Sequence, residues 1–437
     1  MTAVIGLLNK KGLVLAADSA VTRKRREGKT KKSTLNGNKM LRLSTDIPGM
    51  ATSVMITGNA LFLSHPWDIL IRHYRRLRGK AEFKTLEENV ADFFNFLSSD
   101  NNIWENGLDH IYIKNAIKII FKDISAKISD DAKERNRKGQ LLHPEQYETQ
   151  LENYLIYEIN KYSRKSKGIS LENYLENDFI KYAEKDLEET LEKQKSSPYY
   201  KFDYCPPEVI NKYKDDFLKL LFYHLSTIRE ADATELVFAG YGLEEPYPSL
   251  MAVRVCDGFD HRPVYFIDES HTVKISDTNP AAICRFAQTD VIDALLTGIS
   301  GDWENNFKDN LKFMKWASCV DNLSGSQEIK GNQKGYGASD LEKLFENVLK
   351  DLANLKEKNE KAWLRDLKDY DPEDMAELAL NLIDLTGFQR ILTFQHEGVG
   401  GEVDRAILTK EEGFKWVHRK SWNHHQDIDG KYGPLGV

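Results

Sequence analysis

The sequence predicts an α+β protein in which helices are segregated onto antiparallel-rich sheets. Three observations carry this: strand-like runs toward both ends, helical periodicity between them, and a charged, glycine-poor block in the middle. The 437 residues suggest about three domains at roughly 150 residues each. With 41% hydrophobic residues, 30% charged and a mean hydropathy of −0.53, the chain can build a sizeable core under a very polar surface. That excludes collagen-like and wholly disordered classes. No apolar run approaches the roughly 18 residues that a spanning helix needs, so no membrane partner is expected.

The elements follow in chain order. Ala3–Leu8 and Leu13–Ala17 are apolar runs separated by Lys10-Lys11-Gly12, which is hairpin chemistry. A basic segment runs from Arg23 to Asn38. Lys39–Leu43 and Met50–Thr57 form a second strand pair across the turn Asp46-Ile47-Pro48-Gly49. From Ala60 to about Arg78, the positions Leu63, Trp67, Leu70, Ile71, Tyr74 and Leu77 recur at helical spacing. Leu86–Leu97 and Ile111–Ile128 read as further helices.

Residues 131–230 hold 36 charged residues, 15 aromatics (11 of them Tyr) and only two glycines, so this stretch reads as a helical insertion with its own aromatic core. Strand signals return at Glu235–Ala239, Met251–Cys256 and Pro263–Ile267. A helix is expected from about Pro280 to Gly298, a polar loop over 300–337, and helices at 339–357 and 373–387. Glu402–Leu408 and Phe414–Val417 close the chain as a hairpin.

Several candidate motifs resolve to ordinary features. Gly28-Lys29-Thr30 resembles a P-loop tail, but the glycine required five residues earlier is Arg23. Arg23–Lys32 carries seven basic residues in ten, yet the net charge of −7 fits a solvated loop, and no nucleic acid is expected. His424-His425 lack metal-ligand spacing, so neither metal nor cofactor is expected. Cys205, Cys256, Cys284 and Cys319 lie far apart without CxxC spacing and read as reduced thiols of a cytoplasmic protein. The short apolar start is followed by Lys10 and Lys11, the wrong order for a signal peptide.

The remaining candidate is the N-terminus. Removal of Met1 would expose Thr2 with a hydroxyl nucleophile and an α-amine titrating near pH 8 that can serve as its base. The following run, Gly12-Leu13-Val14-Leu15-Ala16-Ala17-Asp18-Ser19, closely resembles the start of proteasome-type β subunits, which are N-terminal nucleophile (Ntn) hydrolases. Lys39-Met40-Leu41-Arg42-Leu43 resembles the strand bearing that family's lysine. Met55-Ile56-Thr57-Gly58-Asn59-Ala60 resembles its oxyanion-hole junction. Phe238–Gly242, Tyr247–Leu250 and Gly400–Lys410 resemble later segments in order. The likeness spans 2–98, 233–298 and 370–418.

The resemblance implies a four-layer αββα sandwich: core 1–98, helical insertion 99–232, core 233–299, polar loop insertion 300–337, and core 338–437. It implies a threonine-type peptidase without cofactor, acting on peptide or protein in a ring-like homo-oligomer. Thr2 would attack, Asp18 would orient Lys39, Lys39 would place positive charge beside Thr2, and the Gly58 N–H would bind the oxyanion. Val21 and Thr22 would pair with substrate backbone, and Met55 would sit near the pocket floor. Singly, Asp18 could cap a turn, Lys39 could be a surface residue and Gly58 could mark a strand end.

The chain departs from the family at its Asp-x-x-Ser-Gly pattern, where the aligned residues are His396-Glu397-Gly398-Val399-Gly400, and at a small Ser-Gly segment that here reads Cys284-Arg285-Phe286. A non-cleaving scaffold and an acylase acting on a small amide are therefore the alternative readings.

Overall fold

A computed structural model describes residues 3–24, 30–33, 38–137, 144–196, 207–229, 233–323, 338–392 and 401–420. The chain begins with β1 (Ala3–Asn9), β2 (Leu13–Asp18), β3 (Val21–Lys24), β4 (Thr30–Ser33), β5 (Met40–Arg42) and β6 (Ala51–Gly58). Two-residue β7 (Leu61–Phe62) and β8 (His65–Pro66) precede α1 (Trp67–Arg78) and α2 (Leu86–Ser99). A helical block follows, with α3 (Asn101–Trp104), α4 (Leu108–Arg137), α5 (Pro144–Ser163), α6 (Glu176–Ser196), α7 (Pro207–Lys212) and α8 (Lys214–Ser226). Then come β9 (Thr234–Tyr241), β10 (Ser249–Phe259), β11 (Arg262–Lys274) and β12 (Ala281–Ala287). The helices α9 (Asp290–Thr297), α10 (Gly301–Leu323), α11 (Ala338–Leu367) and α12 (Pro372–Leu392) lead to β13 (Val403–Thr409) and β14 (Gly413–His418).

Two antiparallel five-stranded sheets form, in the orders β12-β1-β2-β13-β14 and β11-β10-β9-β6-β5. Both β1 and β2 are buried along their whole length, because alternate side chains enter different cores. Val4, Leu8, Leu13, Leu15 and Ala17 join Met40, Met55, Val237 and Ala252 of the second sheet in one apolar cluster. Ala3, Ile5, Leu7, Val14 and Ala16 pack instead with Ile292 of α9, Leu367 of α11 and Met375, Ala379 and Ile383 of α12. The other face of the second sheet, through Val54, Phe238 and Val253, meets Trp67, Tyr74, Phe93 and Leu97 of α1 and α2. Each fully buried side chain of this size stabilises the fold by about 1.5–3 kcal/mol.

The helical block has an aromatic core. Phe121, Phe179, Phe217 and Phe222 cluster with Cys256, Phe259 and Val264 of β10 and β11. The rings of Phe179 and Phe259 lie 4.8 Å apart. The block thus has the expected aromatic core, made almost entirely of its own residues and closed against one end of the second sheet.

Three element expectations are corrected. The segment from Pro280 is not one helix: Ala281–Ala287 is a strand in seven-residue register with β1, and only Asp290–Thr297 is helical. Pairing with β1 overrides the helix propensity of an Ala-containing run. Within the expected 300–337 loop, Gly301–Leu323 is α-helix, with Lys308 bonded to Glu304 one turn earlier and Trp303 stacked on Phe307; residues 324–337 lie outside the described set. The helix expected from Ala60 starts at Trp67, because Leu63 and Ser64 adopt positive φ in the β7–β8 turn. Among the described residues, no helix is long and apolar enough to cross a membrane.

Candidate functional site

The apolar run of β2 ends at Asp18, which is 1% exposed. Its Oδ1 accepts the Ala3 N–H at 2.9 Å and the Lys39 ammonium at 2.8 Å, and its Oδ2 accepts the Ala20 N–H at 3.3 Å. A buried carboxylate needs such donors and a counter-charge. Lys39 is only 8% exposed. Burial pushes its ammonium below the ordinary lysine range, and the Asp18 carboxylate opposes that shift.

Strand pairing brings Gly58 to the same end of the second sheet. Lys39 O accepts the Ile56 N–H at 2.8 Å, and Met40 lies opposite Met55, so β6 ends two residues beyond Ile56 at Gly58. Gly58 has φ +80°, and a Cβ there would approach Ala233 O to 2.5 Å, so only glycine fits without rebuilding the strand end.

A second buried pair flanks the first and escaped sequence reasoning. Asp404 lies opposite Ala17 on β2; its Oδ2 is 3.1 Å from Lys420 Nζ, and its Oδ1 accepts the Lys420 N–H at 2.8 Å. Lys420 adds to the downward push on Lys39, whereas Asp404 opposes it. Asp404 sits inside the Gly400–Lys410 block, which was the available signal; Lys420 belongs to no motif. Ser19 Oγ donates to Glu402 O at 2.7 Å, tying the end of β2 to the chain before β13.

The other predicted residues fall as follows. Thr2 lies outside the described residues, as do His396, Glu397, Val399, His424 and His425. Asp18 and Lys39 are in direct contact, and Gly58 lies two residues along β6 from Ile56, the backbone partner of Lys39. Val21 and Thr22 lie on β3, their backbones opposite Ser33 and Lys32 of β4, so the described parts of the basic 23–32 segment form a two-stranded ribbon. Met55 is fully buried in the cluster between the sheets. Cys284 and Cys256 are buried and in no disulfide, and burial pushes Cys284 up to about 12, which keeps it protonated and poorly nucleophilic.

Glu235, Asp268 and His271 bring possible metal-ligand atoms within 4.8 Å of one another. Asp268 is already paired with Arg254 at 3.0 Å and His271 Nδ1 at 3.1 Å, and Glu235 accepts from the Thr57 hydroxyl at 3.1 Å. A cation there would have to displace those bonds. Chemically, the Asp18 corner offers a desolvated ammonium held by a carboxylate next to the backbone N–H that follows residue 2. Compared with family models and with curated proteins, the sequence matches none.

Proposed function

We propose that the chain is a threonine-nucleophile amide hydrolase of the proteasome-like Ntn class, acting on peptides through Thr2 after Met1 removal. The observation that carries the reading is the buried Asp18–Lys39 pair bonded to the Ala3 N–H, the amide that joins Ala3 to Thr2. Two facing sheets, each with helices on its outer side, suit the four-layer αββα sandwich that this reading requires.

In this mechanism the Thr2 hydroxyl attacks the substrate carbonyl and its proton passes to the α-amine. Positive charge on Lys39 favours the neutral amine and the developing anion, while Asp18 keeps that ammonium in place. The Gly58 N–H donates to the oxyanion, an interaction whose loss costs about 3 kcal/mol in comparable sites. The Thr2 α-ammonium then returns that proton to the departing amine, and water, deprotonated by the freed α-amine, hydrolyses the threonine ester and restores the hydroxyl. Ring-like self-assembly and a cytoplasmic setting belong to the same reading.

The test is release of a fluorophore from amide-linked peptide substrates. Wild type should turn over, Thr2→Ala should fall to background, and Lys39→Arg should lose most activity while remaining folded. Equal rates for wild type and Thr2→Ala would overturn the reading, and a folded but inert wild type would favour the scaffold.

A further inference from the structure

We propose that the cleft between β5 and α1 binds a phosphorylated small molecule of nucleotide size, recognised through its phosphates. The cleft is a cavity of about 530 Å³, within the range of small-molecule sites. Among the described residues, Arg42, Arg72, Arg75, Arg76 and Lys80 line it together with one carboxylate, Asp46, and Arg72 and Arg75 also bond elsewhere. The chain as a whole carries −7, so this concentration of positive charge is local.

Basic residues in the last turn of a helix are ordinarily explained by the partial negative charge of its carbonyl end. That accounts for Arg75 and Arg76. It does not account for Lys80 beyond the helix or for Arg42, which comes from a different element.

The arginines are also pre-positioned. Arg42 is bonded to Asp46 at 2.6 Å and lies over the Phe414 ring at 5.4 Å, while its buried Nε–H has no hydrogen-bond partner. Arg76 donates to His73 Nδ1 at 2.9 Å, and His73 Nε2 is 2.7 Å from Asp100, a relay that fixes the imidazole with its proton on Nε2. Guanidinium forks held in this way match phosphate oxygens in pairs. The proposal does not depend on the hydrolase reading, because Asp18, Lys39 and Gly58 are absent from the lining.

The experiment is calorimetric titration of the full chain with ATP, inorganic tripolyphosphate, adenosine and a single-stranded 20-mer oligonucleotide. ATP and tripolyphosphate should bind with micromolar affinity that weakens with salt, and adenosine should not bind. Arg76→Gln and Arg42→Lys should each weaken binding at least about tenfold, the second because it keeps the charge but loses the fork. Lys212→Gln on the distant helical block should bind as wild type does. Circular dichroism verifies folding, and either variant alone suffices as the test. No binding of ATP or tripolyphosphate below millimolar concentration, unchanged binding in both variants, or binding of the oligonucleotide alone would overturn the proposal.

Discussion

The strand corner and the helical block hold their ionic groups in opposite ways. At the corner both partners are buried: the Lys39–Asp18 side chains are 9% and 0% exposed, and those of Lys420–Asp404 are 2% and 6% exposed. In the helical block the carboxylate can be buried, but the ammonium reaches water. Glu158 is enclosed, while its partners Lys127 and Lys161 keep about half of their side chains exposed. Pairs of the second kind cost little to form and contribute little. Pairs of the first kind desolvate two full charges, and an apolar pair of the same volume is often equally stable, so they are weak devices for stability alone. Two of them side by side suit a site that must hold a charge at a fixed point.

The sharpest way to break this contrast is to remove one buried partner. Lys39→Met removes the Lys39 counter-charge from the enclosed Asp18 carboxylate, and should cost about 3–5 kcal/mol in urea unfolding. Asp18→Asn combined with Lys39→Met should recover much of that loss, since the orphaned charge is then gone. A cost below about 1 kcal/mol for Lys39→Met would place this pair with the surface pairs instead.

A second test addresses the helical block by pH. Burial pushes the His224 imidazole down to about 4, with Arg229 adding in the same direction. The unfolded chain therefore takes up this proton first. The stability contribution is fully present above pH 6.5, is lost as pH falls from 6.5 toward 4, and amounts to up to about 3 kcal/mol. His224→Gln should flatten the urea midpoint over that window, and an unchanged pH dependence would show that His224 is not the sensor.

The smallest effect belongs to the exposed pair Lys212–Glu148, at 3.1 Å. Lys212→Ala should leave the urea midpoint nearly unchanged, and at high salt indistinguishable from wild type.

How much of this was legible in the sequence follows the range of the interactions. The β1–β2 hairpin was readable because apolar runs flanking Lys10-Lys11-Gly12 are a local signal, and Asn9 closes that turn by accepting the Lys11 and Gly12 N–H groups. Asp18, Lys39 and Gly58 stood out only through a resemblance, since each alone is an ordinary residue. Asp404 and Lys420 carried no periodic signature; they matter because β13 lies against β2, a pairing nearly 400 residues apart in sequence. The Ala281–Ala287 strand was misread for the same reason, its partner β1 lying at the other end of the core. Over 301–323, four Asn and the Gly- and Ser-rich sequence that follows masked a helix tied to α11 by Lys356–Glu304. The basic cleft was invisible because Arg42 and the cations of α1 meet only in the folded chain, whereas the basic run that the sequence advertised, Arg23–Lys32, forms a two-stranded ribbon in its described parts.

Thr2 as the nucleophile is tested most directly by intact mass of the purified chain before and after reaction with a threonine-directed epoxyketone. The expected result is a mass lacking Met1, one adduct per chain mapped to Thr2, and no adduct on Thr2→Ala. Retention of Met1, or equal labelling of Thr2→Ala, would contradict it.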